Sequence, residues 1–339
     1  MPQSARILAS ALRDPLATVL DLGGEPEALC RAAGVDPAEA EAPGPATLPL
    51  RAYVAFSQQA AERLRAPHFG RLAGRRFDIA NIGGVGAAAP RAPTLGAALR
   101  LFEAAFASVQ GDSEVRLEMA GDAATLSYRI LDPEIWPRDQ DAELTLGVFA
   151  ALIGGAAGPG WRPLRLEFEH PDRGADHAAG AEARCAVVYG APLNALTFPA
   201  RLLDLAMPAA EPEGFRAAAA ALAREARRRD REAGTAARVR RAVLRDLGRG
   251  PVDQTAVARS LGLSRRSLRR RLEVEGTHFA DILAACRDAL ARRLLAETDA
   301  PAAEIAERLG YSEATAFERA FRRRTGLTPA AWRRARREP

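Results

Sequence analysis

The sequence predicts a mixed α+β N-terminal domain followed by an all-α C-terminal domain with two helix-turn-helix subdomains joined by a long helix. Two observations support this fold class. The last hundred or so residues contain one helix-turn-helix pattern twice, whereas alternating apolar stretches typical of strands occur only in the first two hundred. We therefore expect a first domain over residues 1–210, a linker helix over 211–235 and the repeat-containing domain over 236–339.

The N-terminal domain is predicted to begin with helices and to continue with strands. Apolar residues at helical spacing predict helices over Ser4–Leu20, interrupted at Pro15, and over Glu25–Ala33, Leu50–Leu64, Ala66–Arg76 and Thr94–Phe106. Alternation predicts strands over Ser113–Met119, Ala124–Ile130, Leu164–Glu169, Ala186–Val188 and Ala195–Phe198. Two further helices are expected, one over Ala142–Ile153 between the second and third strands and one over Gly214–Arg231 after two prolines.

The first copy of the repeat runs from Ala258 to Gly276. In such a motif a short helix ends at a small residue, and the chain turns through the left-handed conformation that glycine adopts without steric cost. A serine then caps the next helix. Ala258, Gly262 and Ser264 supply these three parts in order.

The second helix of this copy has one apolar face and one basic face. Leu268 and Leu272 are four residues apart and therefore share a face. At about 100° per residue, Arg266 and Arg270 then point away from the core. A recognition helix lays this outward face in the major groove, where an arginine can donate two hydrogen bonds to guanine.

The second copy runs from Ala306 to Gly326. Four residues of the first copy, Ala258, Leu261, Gly262 and Ser264, reappear 48 positions later, and three more, Leu268, Arg270 and Leu272, are matched 49 positions later by Phe317, Arg319 and Phe321. The same helical wheel puts the two phenylalanines inside and Thr315, Arg319 and Arg322 outside. A solvated arginine-rich helix would have a similar composition, but it does not explain the repeat. The pattern therefore favours a protein that reads DNA.

A long helix is predicted between the two copies. Apolar residues over 278–297 are spaced for one helical face, with Thr277 as a candidate cap. About twenty residues at about 1.5 Å each give a rod of roughly 30 Å. Successive major-groove faces of B-DNA lie about 34 Å apart, so the spacing suits two recognition helices that enter neighbouring grooves.

Residues 236–337 resemble the DNA-binding domain of the AraC/XylS family of bacterial transcription regulators. The resemblance rests on a dense set of residues: Ile305, Ala306, Leu309, Gly310, Tyr311, Ser312, Phe317, Arg319, Phe321, Arg322, Gly326 and Pro329. It implies that the bases are faced by Arg266, Arg269 and Arg270 in the first copy and by Ala314, Thr315 and Arg319 in the second. Two residues depart from the family pattern: Trp332 replaces the usual Tyr or Phe, and Ala314 is too short to form a hydrogen bond. The second helix is therefore expected to read fewer bases than the first, or only a thymine methyl.

The charge distribution agrees with this division of the chain. Residues 1–215 carry 19 arginines and 27 acidic residues, whereas residues 216–339 carry 29 arginines and 16 acidic residues. The basic half is the half that would have to neutralise phosphates. We expect phosphate contacts from Ser264, Arg265, Ser312, Arg322 and Arg323, and from arginines near Arg238, Arg287, Arg292 and Arg324.

The N-terminal half resembles the long N-terminal domain, often labelled arabinose-binding-like, that some AraC/XylS members carry. The similar pieces are Leu48-Pro49-Leu50, 93–99, Phe168-Glu169-His170-Pro171, and Phe198-Pro199 followed by Leu202 and Leu203. The resemblance implies a domain that binds a small-molecule effector and forms oligomers, with a homodimer as one candidate. It also implies contact with RNA polymerase and activation of transcription, although repression remains open.

Other chemistry in this half has a simpler explanation. His170, His177 and Cys185 are separated by seven and eight residues, which fits neither a helical face nor a usual zinc finger. Asp139, Asp141 and Glu143 lack the glycine and distal glutamate of an EF-hand loop, so we expect them to cap the next helix. The sequence therefore predicts no metal or other cofactor.

An enzyme fused to a DNA-binding module, as in alkylation-repair proteins, is the alternative function. A methyl-accepting cysteine needs a polar, cationic environment, whereas Cys185 lies in an apparent buried strand and Cys30 in a helix. We therefore expect a regulator and not an enzyme. The sequence has no signal peptide and no apolar run long enough to span a membrane, which predicts a cytoplasmic, nucleoid-associated bacterial protein.

Overall fold

The computed structural model describes residues 5–42, 44–172, 185–248 and 250–337. The chain forms two compact units, one with Gln3–Ile130 and Ile135–Arg227 and the other with Leu131–Glu134 and Arg228–Pro339. The expected linker segment 211–235 spans the division between them. No helix among the described residues combines the length and the apolar character that a bilayer crossing requires.

The first unit combines helices with a two-stranded antiparallel sheet and a five-stranded mixed sheet. Its helices are α1 Arg13–Asp21, α2 Pro26–Ala33, α3 Ala38–Glu41, α4 Leu50–Arg63, α5 Phe69–Arg76, α6 Gly83–Ala88, α7 Leu95–Ala105 and α8 Asp139–Ala157. Its strands are β1 Arg6–Leu8, β2 Thr47–Pro49, β3 Ser113–Ala120, β4 Ala123–Ile130, β5 Arg165–Glu167, β6 Ala186–Val188 and β7 Asn194–Pro199. Short 3₁₀ turns occur at Ala9–Leu12, Ile79–Ile82, Ala89–Arg91, Phe106–Ser108 and Ala200–Asp204.

The larger sheet has the strand order β3-β4-β7-β5-β6, and all its pairs are antiparallel except β5 with β6. β4, the second strand in this order, pairs with β3 on one side and β7 on the other. Tyr128 of β4 thereby lies opposite both Val115 and Asn194. This mixed sheet, together with the helical second unit, confirms the predicted fold class.

The N-terminal helix expected over Ser4–Leu20 is wrong in its first half. Arg6–Leu8 forms β1, which pairs antiparallel with Thr47–Pro49, a partner that no local periodicity reveals. Helix α1 begins only at Arg13, so Pro15 lies in its first turn. Amide groups in a first helical turn have no intrahelical acceptor, and proline therefore does not interrupt the helix.

Helix α8 is largely buried and packs closely against α5. A side-chain carbon added at Gly70 would lie 2.0 Å from the Gln140 carbonyl oxygen, and one added at Gly74 would lie 2.5 Å from that of Leu144. Glycine is therefore required at both positions. The buried start of α8 is thereby held against α5.

The second unit is helical. Its helices are α10 Thr235–Asp246, α11 Gln254–Ser260, α12 Arg265–Val274, α13 Phe279–Glu297, α14 Ala302–Arg308, α15 Ala314–Thr325 and α16 Pro329–Arg337, while α9 Pro212–Glu232 runs across the division between the units. The long helix α13 contributes to two separate apolar cores. Cys286 is buried in the core of the first helix-turn-helix subdomain, and Ala291, Leu294 and Leu295 are buried in that of the second. Because one rod supplies both cores, the two subdomains are held at a fixed separation.

Candidate nucleic-acid interface

The first subdomain contains α10, and its helix-turn-helix motif consists of α11, a glycine turn and α12. Gly262 has a φ of 69°, the left-handed conformation that the sequence predicts for this turn. The Ser264 side chain then accepts a hydrogen bond of 3.1 Å from the Ser267 amide. Ser264 is therefore the cap of α12, and its hydroxyl is occupied within the protein.

The outward face of α12 is basic and exposed. Leu268 and Leu272 are fully buried, which turns Arg266 and Arg270 to the opposite side of the helix. Neither arginine forms a hydrogen bond or ion pair with a described residue. Arg269, which lies to one side, forms an ion pair of 3.5 Å with Glu273. The helix thus presents two unengaged guanidinium groups and a third that can exchange partners.

The second subdomain repeats this arrangement with a longer turn. Gly310 has a φ of 71°, as its counterpart Gly262 does. Helix α15, however, begins at Ala314 under Glu313, whose side chain makes no capping hydrogen bond. Ser312, the sequence counterpart of the capping serine, lies one residue too early to cap. The extra residue explains why the repeat spacing changes from 48 to 49 within the motif.

The outward face of α15 offers fewer free groups. Phe317 and Phe321 are buried, and Arg319 is exposed without a described partner. Thr315 is exposed too, but its hydroxyl lies 3.2 Å from the Glu313 carboxylate and donates to it. Ala314 is half-buried. Arg319 is therefore the one long unengaged donor among the three predicted base-facing residues of this helix.

The turn of the second subdomain is braced by the long helix. Arg287 of α13 donates hydrogen bonds of 2.8 Å to the carbonyl oxygens of both Leu309 and Gly310. Its guanidinium group also lies over the Tyr311 ring, 4.4 Å from the centroid. The brace orients α14 and α15 on the end of the rod.

Several arginines near which phosphate contacts are expected also have partners inside the protein. Besides Arg287, Arg238 pairs with Asp230 at 2.9 Å, and Arg292 pairs with Asp288 at 3.1 Å. Arg324 also lies 3.8 Å from Asp288. The Arg238 and Arg324 contacts link neighbouring helices, whereas the Arg292 contact lies within α13. The phosphate contacts expected near these arginines stay predictions. Arg265, Arg322 and Arg323 are exposed and remain predicted phosphate contacts, together with Ser312.

Two carboxylates stabilise helix starts in the first subdomain. Asp253 accepts a hydrogen bond of 2.9 Å from the Ala256 amide, and such bonds from Ala256 and Thr255 lower its pKa. Glu275, at the end of α12, accepts bonds of 2.6 and 2.8 Å from the amides of Thr235 and Ala236. Burial tends to raise the pKa of Glu275, but these bonds outweigh it and the pKa is lowered. No local sequence signal predicts this link, because Glu275 is distant from α10 along the chain.

The candidate metal ligands of the first unit are not assembled into a site. His170 is buried beside Phe168 and Tyr189, with ring centroids 5.1 and 5.4 Å away, and Cys185 is half-buried. His177 lies outside the described residues. Among those that the structure describes, no group of three metal-ligating side chains is found.

The cysteines also lack the environment of a methyl acceptor. Burial raises the pKa of the Cys30 and Cys286 thiols to about 11, and it raises the pKa of Cys185 as well. A thiolate is the reactive form of cysteine, so each shift lowers reactivity at neutral pH.

The acidic residues at the start of α8 do not have the expected role. Asp139, Asp141 and Glu143 are almost fully buried, and α8 has no side-chain cap. The capping prediction was wrong because all three carboxylates are buried, and that of Asp141 accepts a hydrogen bond from the Tyr128 hydroxyl of β4.

The sequence matches two family models over most of its length. Residues 23–207 match the arabinose-binding domain of AraC transcription regulators, and residues 257–335 match a helix-turn-helix domain. The transcriptional regulator VirS of Mycobacterium tuberculosis is 29% identical over 316 residues, which covers 92% of each chain. The ornithine utilization regulator of Pseudomonas aeruginosa is 28% identical over 331 residues, or 96% of this chain and 95% of that one.

The crystal structure of the transcriptional regulator CdpR from Pseudomonas aeruginosa is 24% identical, covers 91% of this chain and 96% of that chain, and has a TM-score of 0.42. The matched family and the relatives are transcription regulators and not enzymes. With an N-terminal domain of the arabinose-binding class and a helix-turn-helix DNA-binding domain, this chain belongs to the AraC family of transcription regulators.

Proposed function

We propose that this regulator binds an operator by placing α12 and α15 in successive major grooves on one side of the duplex. The observation that carries the proposal is the pair of exposed, unengaged guanidinium groups, Arg266 and Arg270, directly opposite the buried leucines of α12. Arginine is the side chain that most often reads guanine in the major groove, through two hydrogen bonds to O6 and N7. Arg269 and Arg319 are the other two arginines that would select the DNA sequence.

The geometry of the rod supports simultaneous binding by both subdomains. Helix α13 has 19 residues, which corresponds to roughly 28 Å of α-helix. Two recognition helices attached near its ends can therefore approach the spacing of about 34 Å between successive major-groove faces. Exposed Arg265, Arg322 and Arg323, with Ser312, would then contact phosphates and set the register on the DNA.

The first unit regulates DNA binding in this proposal. A small-molecule effector bound there would change the equilibrium between active and inactive arrangements only by its differential affinity for the two. We further propose that the protein acts as an activator that contacts RNA polymerase, as a homodimer, on the bacterial nucleoid in the cytoplasm. The family membership supports these assignments.

Selection of binding sites from random duplexes with the full-length chain tests the proposal. Arg270→Ala should weaken binding to the selected operator by about 1 to 3 kcal/mol and should have little effect on random DNA. The matched control is Arg271→Ala on the same helix, because Arg271 is exposed but points about 100° away from the reading face. Equal losses on operator and random DNA would make Arg270 a phosphate contact. If no duplex were enriched, the proposed function would be wrong.

A further inference from the structure

A buried carboxylate in the first unit has an unsatisfied oxygen. Asp141, in the first turn of α8, is 1% exposed. One of its oxygens, Oδ2, accepts a hydrogen bond of 2.6 Å from the Tyr128 hydroxyl. The other, Oδ1, has no hydrogen-bond partner. Buried polar atoms in folded proteins are nearly always paired, so an unpaired carboxylate oxygen requires an explanation.

The polar groups on the sheet side of Asp141 already form hydrogen bonds with one another and with Oδ2 of Asp141. The Tyr128 hydroxyl, which donates to Asp141, accepts a hydrogen bond of 2.5 Å from the Gln110 amide. The same amide nitrogen lies 2.8 Å from the Ser113 hydroxyl and donates to it. This chain of hydrogen bonds fixes the carboxylate in one orientation, and Oδ1 takes no part in it.

A second unsatisfied group lies on the neighbouring helix α4. Tyr53 and Ser57 are one turn apart on α4, and their exposed fractions are 1% and 0%. The Ser57 hydroxyl has no hydrogen-bond partner. Burial, followed by the charge of Asp141, raises the pKa of the Tyr53 hydroxyl well above its usual value, so Asp141 acts on this face of α4.

No cationic side chain among the described residues forms an ion pair with Asp141. Burial raises its pKa to about 6, while the Tyr128 hydrogen bond and the charge of Arg138 lower it, so the group is mainly ionised at neutral pH. Arg138 is already committed to Glu169 at 2.7 Å and to the Ile130 carbonyl oxygen at 2.7 Å. A buried carboxylate without a paired cation costs several kcal/mol. A water molecule could supply the missing hydrogen bond but not the missing charge.

We propose that Asp141 anchors the positively charged group of the effector, which is a small molecule bearing an ammonium or amidinium group. The cation would donate to Oδ1 and neutralise the carboxylate, and the Ser57 hydroxyl would bind a second polar group of the same molecule. A carboxylate oxygen can only accept a hydrogen bond, so an anionic ligand would be repelled and a neutral one would leave the charge uncompensated. One part of this inference rests on the proposed function, namely that the bound molecule regulates DNA binding.

Calorimetric titration of the full-length chain with size-matched probes tests the proposal. The probes are butylamine, 1,4-diaminobutane and butylguanidine, with 1-butanol and butyrate as neutral and anionic controls. The cations should bind, and Asp141→Asn should weaken that binding on the order of tenfold to a hundredfold, the usual effect of a charge-assisted hydrogen bond. Ser57→Ala should weaken 1,4-diaminobutane more than butylamine. Asp122→Asn, which removes an exposed carboxylate of the same unit, should have no effect.

A second measurement uses the unaltered protein, in case Asp141→Asn does not fold. Affinity for butylamine should fall as the pH is lowered through about 6, because the carboxylate becomes protonated. Burial raises the pKa of the Tyr53 and Tyr128 hydroxyls well above the usual value, so neither hydroxyl titrates over that range. Equal binding of butanol, binding that survives Asp141→Asn, a pH-independent affinity or no binding of any cation at millimolar concentration would each overturn the proposal. None of those outcomes changes the result of operator selection. The proposed function and the proposed ligand site are therefore tested independently.

Discussion

The two helix-turn-helix subdomains share one sequence pattern but distribute their polar groups differently. In the first, Arg266 and Arg270 project freely from α12 and the turn at Gly262 has open space around it. In the second, the hydroxyl of Thr315 is bonded to Glu313, and the turn at Gly310 is bound by Arg287. We therefore propose that the first copy carries most of the base-reading chemistry, while the second is more firmly fixed to the rod.

A repeated motif therefore does not imply a repeated function. Both copies need a left-handed glycine and a buried pair of apolar residues, because these parts form the turn and the core. The outward positions have no such requirement. They can differ in sequence without loss of the fold, and here they do.

The largest expected difference concerns the equivalent positions Arg266 and Thr315. Arg266→Ala should weaken operator binding by about 1 to 3 kcal/mol, because a two-pronged contact to guanine would be lost. Thr315→Ala should cost clearly less, since its hydroxyl already donates to Glu313. Fluorescence anisotropy on the selected operator and on a scrambled duplex measures both effects. Equal losses for the two variants would contradict the asymmetry.

Alanine at the two turn glycines should separate the subdomains by their surroundings. Both glycines have a φ near 70°, and the left-handed conformation costs other residues roughly 1 to 2 kcal/mol. Gly262→Ala would add a carbon in open space, whereas Gly310→Ala would place one 3.3 Å from the Gly250 carbonyl oxygen and 3.4 Å from Arg287. Gly310→Ala should therefore lower the free energy of unfolding more. Urea unfolding of the full chain checks this order, and a larger effect at Gly262 would refute it.

The two serines at the turns should have unequal effects on stability. Ser264→Ala removes the cap of α12 and should cost about 1 kcal/mol of unfolding free energy. Ser312→Ala should be close to neutral, because α15 begins one residue later, under Glu313. Thermal unfolding of both variants beside the unaltered chain provides the measurement. A destabilising Ser312→Ala would mean that this serine caps α15 after all.

Acid should loosen the first subdomain before the second. The lowered pKa values of Asp253 and Glu275 mean that their stabilisation is complete above the ordinary carboxylate pKa values of 3.8 and 4.5. It is lost as the pH falls through the lowered values. No side-chain cap is present at the start of α14 or α15. Hydrogen exchange of α10–α12 should therefore increase first as the pH falls.

The matched controls for the acid prediction are Asp253→Asn and Glu275→Gln. Both replacements remove the charge that titrates but keep a side chain of similar size. They should abolish the difference in exchange between the subdomains. Simultaneous loosening in the unaltered chain would show that these caps do not control acid stability.

Sequence reasoning was most successful where structure depends on nearby residues. The two glycine turns, the Ser264 cap and the buried faces of α12 and α15 follow from spacing within one motif. It failed where a distant partner decides the outcome. Arg6–Leu8 becomes a strand because Thr47–Pro49 pairs with it, and Arg287 becomes a brace because the Leu309 and Gly310 carbonyl oxygens lie beside it.

The candidate ligand site shows the same limit. The sequence predicts that Asp141 and its acidic neighbours cap a helix, because a sequence reports residue type and spacing but not burial. Only the packing of α8 against β4 and α4 excludes water from Asp141 and leaves one of its oxygens unpaired.

The sequence by itself determined the fold class, the repeated DNA-binding motif and the residues on each face of its helices, since helical periodicity is a local property. The tertiary structure alone decided which arginines are free and which are engaged, and which carboxylates cap helices and which are buried. Those outcomes depend on groups far apart in the chain, whose desolvation and pairing energies exist only after the chain has folded.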